Sequence, residues 1–174
     1  DPASGAPRLR GMNTDYAAIL DSITAKMGTT RDALKGLRVG VLGAGGTGRT
    51  AVAGLAACGA TVVVYNRTKE KADALAAEFT GKSGKVVAAS TDKLCDSCCQ
   101  VWVNTTSVGM HPNVDETPYD RTHLRNSMVV FDMVYNPENT LMVKEARGQG
   151  CTVVTGVEMF VRQASLQFRL FTGH

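Results

Sequence analysis

The chain has 174 residues, 44% of them hydrophobic and 20% charged, which suits one domain with a real core, or one domain plus an appendage. Its net charge of +3, from 19 basic and 16 acidic residues, is too mild for the dense basic face of a nucleic-acid surface. No apolar run approaches the roughly 20 residues that a membrane helix needs.

The start, "DPASGAPRLR", has neither an initiator Met nor the hydrophobic segment of a secretory signal. It reads as a leading polar segment of a fragment. The expected location is cytoplasmic, or plastid if the parent chain carries a transit peptide. In "NTDYAAILDSITAKMG", Asn13 suits a helix N-cap and Asp15 the positive end of the helix. Ile19, Ile23 and Met27 recur every four residues, with Tyr16 and Leu20 beside them, so one face can pack; Gly28 reads as a stop. "TTRDALKG" links this helix to the first strand.

From Leu37 the pattern alternates. Strands are predicted over 37–43, 61–66, 85–89, 100–106, the start of 127–135, and 151–155. Helices are predicted over 47–60, 68–79, 139–150 and 156–173, with a short helix or turn in "TDKLCDSC" and a long loop over 107–124 holding about one helical turn. Strands separated by single helices imply βαβ units. The expected fold is α/β: a Rossmann-like, doubly wound, mostly parallel six-stranded sheet with helices on both faces. The expected organisation is an N-terminal segment, 1–35, with a linking helix, then a nucleotide-binding domain, 36–174, closed by a C-terminal helix. In that last helix Phe160, Ala164, Phe168 and Phe171 form an apolar stripe, with Gln163 one residue off it.

The five cysteines are Cys58, Cys95, Cys98, Cys99 and Cys151. An odd, uneven set does not make a disulfide framework, so reduced thiols are expected. Cys95 and Cys98 form one Cys-x-x-Cys. A structural zinc site needs four ligands, no second Cys pair exists, and His111 and His123 could in principle complete one. No metal is expected.

"GAGGTG" is Gly43-x-Gly45-x-x-Gly48, set between a predicted strand and a predicted helix. That context makes the motif a dinucleotide turn. Gly43 permits the tight turn, Gly45 lets the backbone approach a pyrophosphate, and Gly48 lets helix and strand lie close. The whole turn, including Ala44, Gly46 and Thr47, is expected at the cofactor, with the helix N-terminus offering N–H groups to phosphate. About twenty residues on, NAD-binding folds carry an acid for the ribose hydroxyls. Here the strand ends Tyr65-Asn66-Arg67-Thr68. An Arg can pair bidentately with a 2′-phosphate that a carboxylate would repel. Asn66 and Thr68 can donate hydrogen bonds, Thr68 can also cap the next helix, and Lys71 can face the same site. The residues read NADP over NAD, against the plainer alternative that Arg67, Lys69 and Lys71 are a solvated helix start.

Several further motifs, in order, resemble the shikimate dehydrogenase family from about Gly11 to Gly173. "GMNTD" resembles G-x-N-T-D, "NTTSVGM" resembles N-[AT]-T-S-x-G-M, and "FDMVYNP" resembles D-x-x-Y-x-P. The end, "GVEMFVRQASLQFRLFTG", is similar to the family's closing G-x-x-M-[LF]-x-x-Q-A segment. "HPNVDETP" is most similar to the dehydrogenase half of bifunctional dehydroquinase–shikimate dehydrogenases, which leaves a fused dehydroquinase as one alternative. The resemblance implies NADP-dependent, reversible reduction of 3-dehydroshikimate to shikimate, within aromatic amino-acid biosynthesis. It implies a catalytic role for Asp15, paired with a Lys, and substrate contacts for Tyr135 and Gln163. It places Asn104, Thr105, Met133 and Gly156 on the cofactor side and Met159 near the nicotinamide.

The family's catalytic Lys and its carboxylate-binding Ser residues precede G-x-N-T-D in a substrate domain. Lys26 and Lys35 follow Asp15, in the wrong order. That domain is therefore expected to lie outside this chain, leaving the chain alone with little or no turnover. Two alternatives stand beside this reading: a non-catalytic NADP-binding module, such as a regulator or pseudoenzyme, and a quinate/shikimate dehydrogenase. A Rossmann domain of the glutamyl-tRNA reductase type shares the glycine turn and Asn-Arg-Thr, but not G-x-N-T-D or M-F-x-x-Q-A.

Overall fold

Valine-rich runs, which suit a pleated and buried surface, build six strands: β1 (Arg38–Leu42), β2 (Thr61–Tyr65), β3 (Lys85–Ala89), β4 (Val101–Asn104), β5 (Val129–Asp132) and β6 (Thr152–Val154). The computed structural model describes residues 11–79, 81, 84–94 and 99–173. Within it the strands form one sheet in the order β3-β2-β1-β4-β5-β6. Every neighbouring pair is parallel, so the sheet is wholly rather than mostly parallel. This is the doubly wound order of the Rossmann fold.

Five helices cover the sheet: α1 (Thr14–Met27), α2 (Gly46–Ala57), α3 (Lys69–Glu78), α4 (Leu141–Gly148) and α5 (Gly156–Thr172). Alternation along the strands sends side chains into two cores. Val39 and Val41 of β1 pack with Val62, Val64, Val103 and Phe131 against α1, α2 and α3. Leu42, Val63 and Trp102 face the other way, towards Met142 and Ala146 of α4 and Tyr119 and Leu124 of the long loop. The apolar face of α1 is fully used: Ala18, Ile19, Leu20 and Ile23 are at most 1% exposed. Burial of two isoleucines and a leucine contributes about 1.5–3 kcal/mol each. This helix packs against α2 and α5 and belongs to the same core as the sheet.

Element boundaries differ from the sequence reading in instructive places. β5 stops at Asp132 because that residue's own carboxylate accepts from the Val134 N–H and turns the chain. Thr68 stands at the N-cap of α3, but its side chain makes no capping bond. The segment at 31–34 is a 3₁₀ turn, and the long loop holds one such turn at Arg121–His123. The stripe of α5 does not face the core. Phe160 is 50%, Phe168 62% and Phe171 86% exposed, whereas Met159, in the first turn, is buried. The amphipathic pattern is present, but the side of α5 that packs along α1 is not its phenylalanine side. Cys95 and Cys98 lie outside the described residues, as do residues 1–10.

Candidate active site

Register sets four strand ends level: Leu42 pairs with Tyr65 and with Asn104, and Asn104 pairs with Asp132. The chain leaves the sheet there into the glycine turn, the Asn66–Thr68 segment, Thr105–Met110 and Met133–Asn136. Strand order reverses between β1 and β4, where open α/β sheets bind ligands.

The glycine turn is built by close contact. Gly43 has φ +109°, and its N–H donates to Tyr65 O at 2.7 Å. A Cβ on Gly48 would lie 2.3 Å from Gly43 O and 2.9 Å from Thr105 Oγ1, so α2 can approach the turn only with glycine there. Gly45 and Gly46 are exposed and have open space where a Cβ would stand. The first turn of α2 holds no acidic residue and no side-chain cap, leaving its N–H groups and partial positive charge available to an anion.

Asn66 has a task that its place in the sequence does not announce. Its Oδ1 accepts from Ala44 N–H at 3.1 Å, and its Nδ2 donates to Thr68 O at 2.9 Å. It therefore braces the turn with its Oδ1 and one amide N–H, and it occupies the Ala44 N–H as well. Arg67, Thr68 and Lys71 are exposed at the end of β2. Arg67 has no ion-pair or hydrogen-bond partner among the described residues, whereas Lys69 is paired with Asp73 at 2.7 Å. Arg67 is thus the uncommitted guanidinium beside the turn.

Next to the turn, a cleft of about 520 Å³ gathers most of the other candidates. Asp15 enters it from the first turn of α1, Thr47 from α2, Thr105 from the end of β4, and Met133 and Tyr135 from the end of β5; Gly156, Met159 and Gln163 come from α5. Asp15 is half-buried and has no partner among the described residues. Tyr135 is 56% exposed and stacks on Phe160, with ring centroids 5.4 Å apart. Asn104 is the exception. It is fully buried, donates from Nδ2 to Asp132 at 2.9 Å and accepts from Thr106 N at 3.0 Å. Its side chain supports the floor of the cleft from below. Thr106, Ser107, Met110, Phe160 and Gln167 also line the cleft and were missed. Three of them lie inside "NTTSVGM", where residue order alone does not tell a lining residue from a loop residue.

Asp132, buried beneath the cleft, is a carboxylate whose pKa is displaced by its surroundings. Burial pushes its pKa up, and hydrogen bonds from Thr140, Val134 N–H and Asn104 oppose this. A folded-state value above the unfolded one means that ionisation costs stability, so its contribution is lost as pH rises through the folded value. Asp132→Asn removes that cost. The variant is expected to melt above wild type at pH 8, with the gap closing as pH falls towards 4. A gap that does not change with pH, followed by circular dichroism, would refute the assignment. Among the described residues no group of three His, Cys, Asp or Glu side chains is arranged to hold a metal ion. None of their helices is long and apolar enough to cross a membrane.

The comparisons with known proteins agree with this geometry. The family model for shikimate / quinate 5-dehydrogenase matches residues 25–145. A shikimate dehydrogenase (NADP⁺) from Maridesulfovibrio salexigens is 38% identical over 168 residues, covering 95% of this chain and 58% of that protein. The chloroplastic bifunctional 3-dehydroquinate dehydratase/shikimate dehydrogenase of Arabidopsis thaliana is 39% identical, covering 95% of this chain and 29% of its own length. Among solved structures, shikimate 5-dehydrogenase from Thermus thermophilus, in complex with NADP(H) and shikimate, superposes with a TM-score of 0.80 at 36% identity, covering 96% of this chain and 59% of that one. This chain therefore spans less than two thirds of each of these relatives. With the matched family model, the six-stranded parallel sheet and the glycine turn in agreement, the chain belongs to the shikimate / quinate 5-dehydrogenase family.

Proposed function

We propose that this chain is the NADP-binding part of a shikimate dehydrogenase, an oxidoreductase that reversibly reduces 3-dehydroshikimate to shikimate. The observation that carries the reading is the cleft, in which Asp15, Tyr135 and Gln163 meet Met133 and Met159 beside a glycine turn and an Arg67 that has no partner among the described residues. In this reading residues 36–174 form the cofactor domain, and 1–35 lead into it from a substrate domain encoded outside this chain. That domain supplies the catalytic Lys, and the exposed stripe of α5 faces it. The family and its bifunctional relative also make a fused dehydroquinase a candidate partner.

The residues fit the cofactor. The open N-terminus of α2 and the exposed Gly45–Gly46 backbone take the pyrophosphate, and Arg67, with Thr68 and Lys71 beside it, takes the 2′-phosphate. Thr105, Met133, Gly156 and Met159 form the wall at the nicotinamide end. NADPH, when bound, supplies the hydride. Tyr135 and Gln163 orient the ring hydroxyls, since a phenol and an amide each donate and accept. Asp15 holds the Lys beside the substrate oxygen, where a proton must be delivered as the ketone becomes an alcohol.

The test is calorimetric titration with NADP⁺ and NAD⁺. A preference for NADP⁺ of about tenfold or more, about 1.4 kcal/mol, is expected, and Arg67→Ala should abolish it while leaving NAD⁺ affinity unchanged. Equal affinities in wild type would reduce Arg67 to a solvated helix start.

A further inference from the structure

Asp132 is 0% exposed at the end of β5, and among the described residues it has no ion-pair partner. Its Oδ1 accepts from Asn104 Nδ2 at 2.9 Å and from Val134 N–H at 3.1 Å, and its Oδ2 accepts from Thr140 Oγ1 at 2.5 Å. Each partner organises a different segment. Asn104 accepts from Thr106 N–H and from Thr106 Oγ1 at 2.7 Å, and Thr106 Oγ1 in turn accepts from Val108 N–H. Val134 N–H begins the segment that carries Tyr135. Thr140, 1% exposed, caps α4 through Val143 N–H and packs behind Gly109. The N-terminus of α5 rests on the same segment: a Cβ on Gly156 would lie 2.4 Å from Val134 O and 2.6 Å from Met133 O. Thus Thr105, Thr106, Met133 and Tyr135 reach the cleft from loops that meet at one buried side chain.

We propose that Asp132 is a positioning residue, a clasp that holds the loops after β4 and β5 and the start of α4 in the register that nucleotide binding requires. Its acceptor geometry does this. A carboxylate offers about four lone-pair sites on two oxygens, and three are filled here by donors from three segments. A residue that serves only to fill the core would be cheaper as an apolar side chain, because burying a carboxylate without a cation costs stability. Asn at this position keeps Oδ1 for Asn104 and Val134. Its amide can donate to Thr140 once the Thr140 hydroxyl turns. Ala keeps none of the three bonds and orphans three donors.

The inference rests on the proposed nucleotide-binding function, and the experiment separates the two. Wild type, Asp132→Asn, Asp132→Ala, Thr140→Val and Val52→Ala are titrated with NADP⁺. Amide exchange is followed at Thr106, Val108 and Val134. Val52 lies on α2, buried in the first core, and serves as a stability control outside the three segments that Asp132 joins. Asp132→Asn is expected to bind within threefold of wild type and Thr140→Val about threefold more weakly. Asp132→Ala should bind at least tenfold more weakly, with faster exchange confined to the three amides. Val52→Ala should lower the melting temperature and leave affinity unchanged. Asp132→Ala binding within twofold of wild type overturns the clasp. So does a Val52→Ala loss that matches it. If Asp132→Ala does not fold, Thr140→Val carries the test by the same comparison with Val52→Ala. If wild type does not bind NADP⁺, the cofactor reading fails and exchange decides: faster exchange at those amides in Thr140→Val supports the clasp, and unchanged exchange overturns it.

Discussion

Asp15→Asn, in an enzyme of the relatives' full length that contains this chain, is expected to lower kcat by about 10²–10⁴ and to leave NADP⁺ affinity within twofold. Asp15 has a plainer role as a negative charge in the first turn of α1, worth about 0.3–1 kcal/mol to the helix. Two observations favour chemistry. The side chain lines the cleft together with Tyr135 and Gln163, and it has no partner among the described residues. The cap of α1 is already supplied by Asn13, whose Oδ1 accepts from Tyr16 N–H at 3.2 Å. Asn is nearly isosteric and keeps the packing, but it cannot hold a cationic partner or share its proton. Steady-state kinetics with 3-dehydroshikimate would settle the matter. A kcat within threefold of wild type, alongside a lower melting temperature, would return Asp15 to the helix-dipole role.

Gly48→Ala is expected to destabilise the chain by about 1–3 kcal/mol and to weaken NADP⁺ binding on the order of 100-fold, about 2.7 kcal/mol. The added methyl would meet Gly43 O at 2.3 Å and Thr105 Oγ1 at 2.9 Å. The first is backbone of the turn itself, and the second is fixed by a 2.8 Å bond to Leu42 O. Neither can yield unless the turn opens and moves the phosphate seat. Gly46→Ala makes a matched control, because its Cβ meets nothing within 4 Å. Its stability should change by about 0.5 kcal/mol or less. Denaturant unfolding and titration of both variants check the pair. An unaffected Gly48→Ala would mean that helix and turn are not in contact in solution.

Much of this arrangement was legible in the sequence because local patterns encode it. Six valine-rich runs separated by helical segments gave the parallel sheet, and Gly43-x-Gly45-x-x-Gly48 gave the turn in its place. The clasp was not legible. Asp132 meets Asn104 across 28 residues and Thr140 across eight, and no periodicity marks a buried polar pair. The bracing role of Asn66 was hidden for a related reason. Beside Arg67 it looked like a second ligand, while its partner Ala44 lies 22 residues earlier. The stripe of α5 shows a further limit: a hydrophobic face reveals that a helix has two sides, but not which side meets the core.

The bond between Asn66 and Ala44 has a consequence for cofactor choice. One side chain joins the glycine turn to the strand end that bears Arg67, so under the proposed function the span between the two phosphate sites is braced before any ligand arrives. The protein then works as a ruler with two marks. A dinucleotide bearing the extra phosphate meets both without the chain first having to be ordered, and the freedom that binding would otherwise remove has already been given up in folding. Selectivity of this kind comes from rigidity at a distance as much as from the charge at its end.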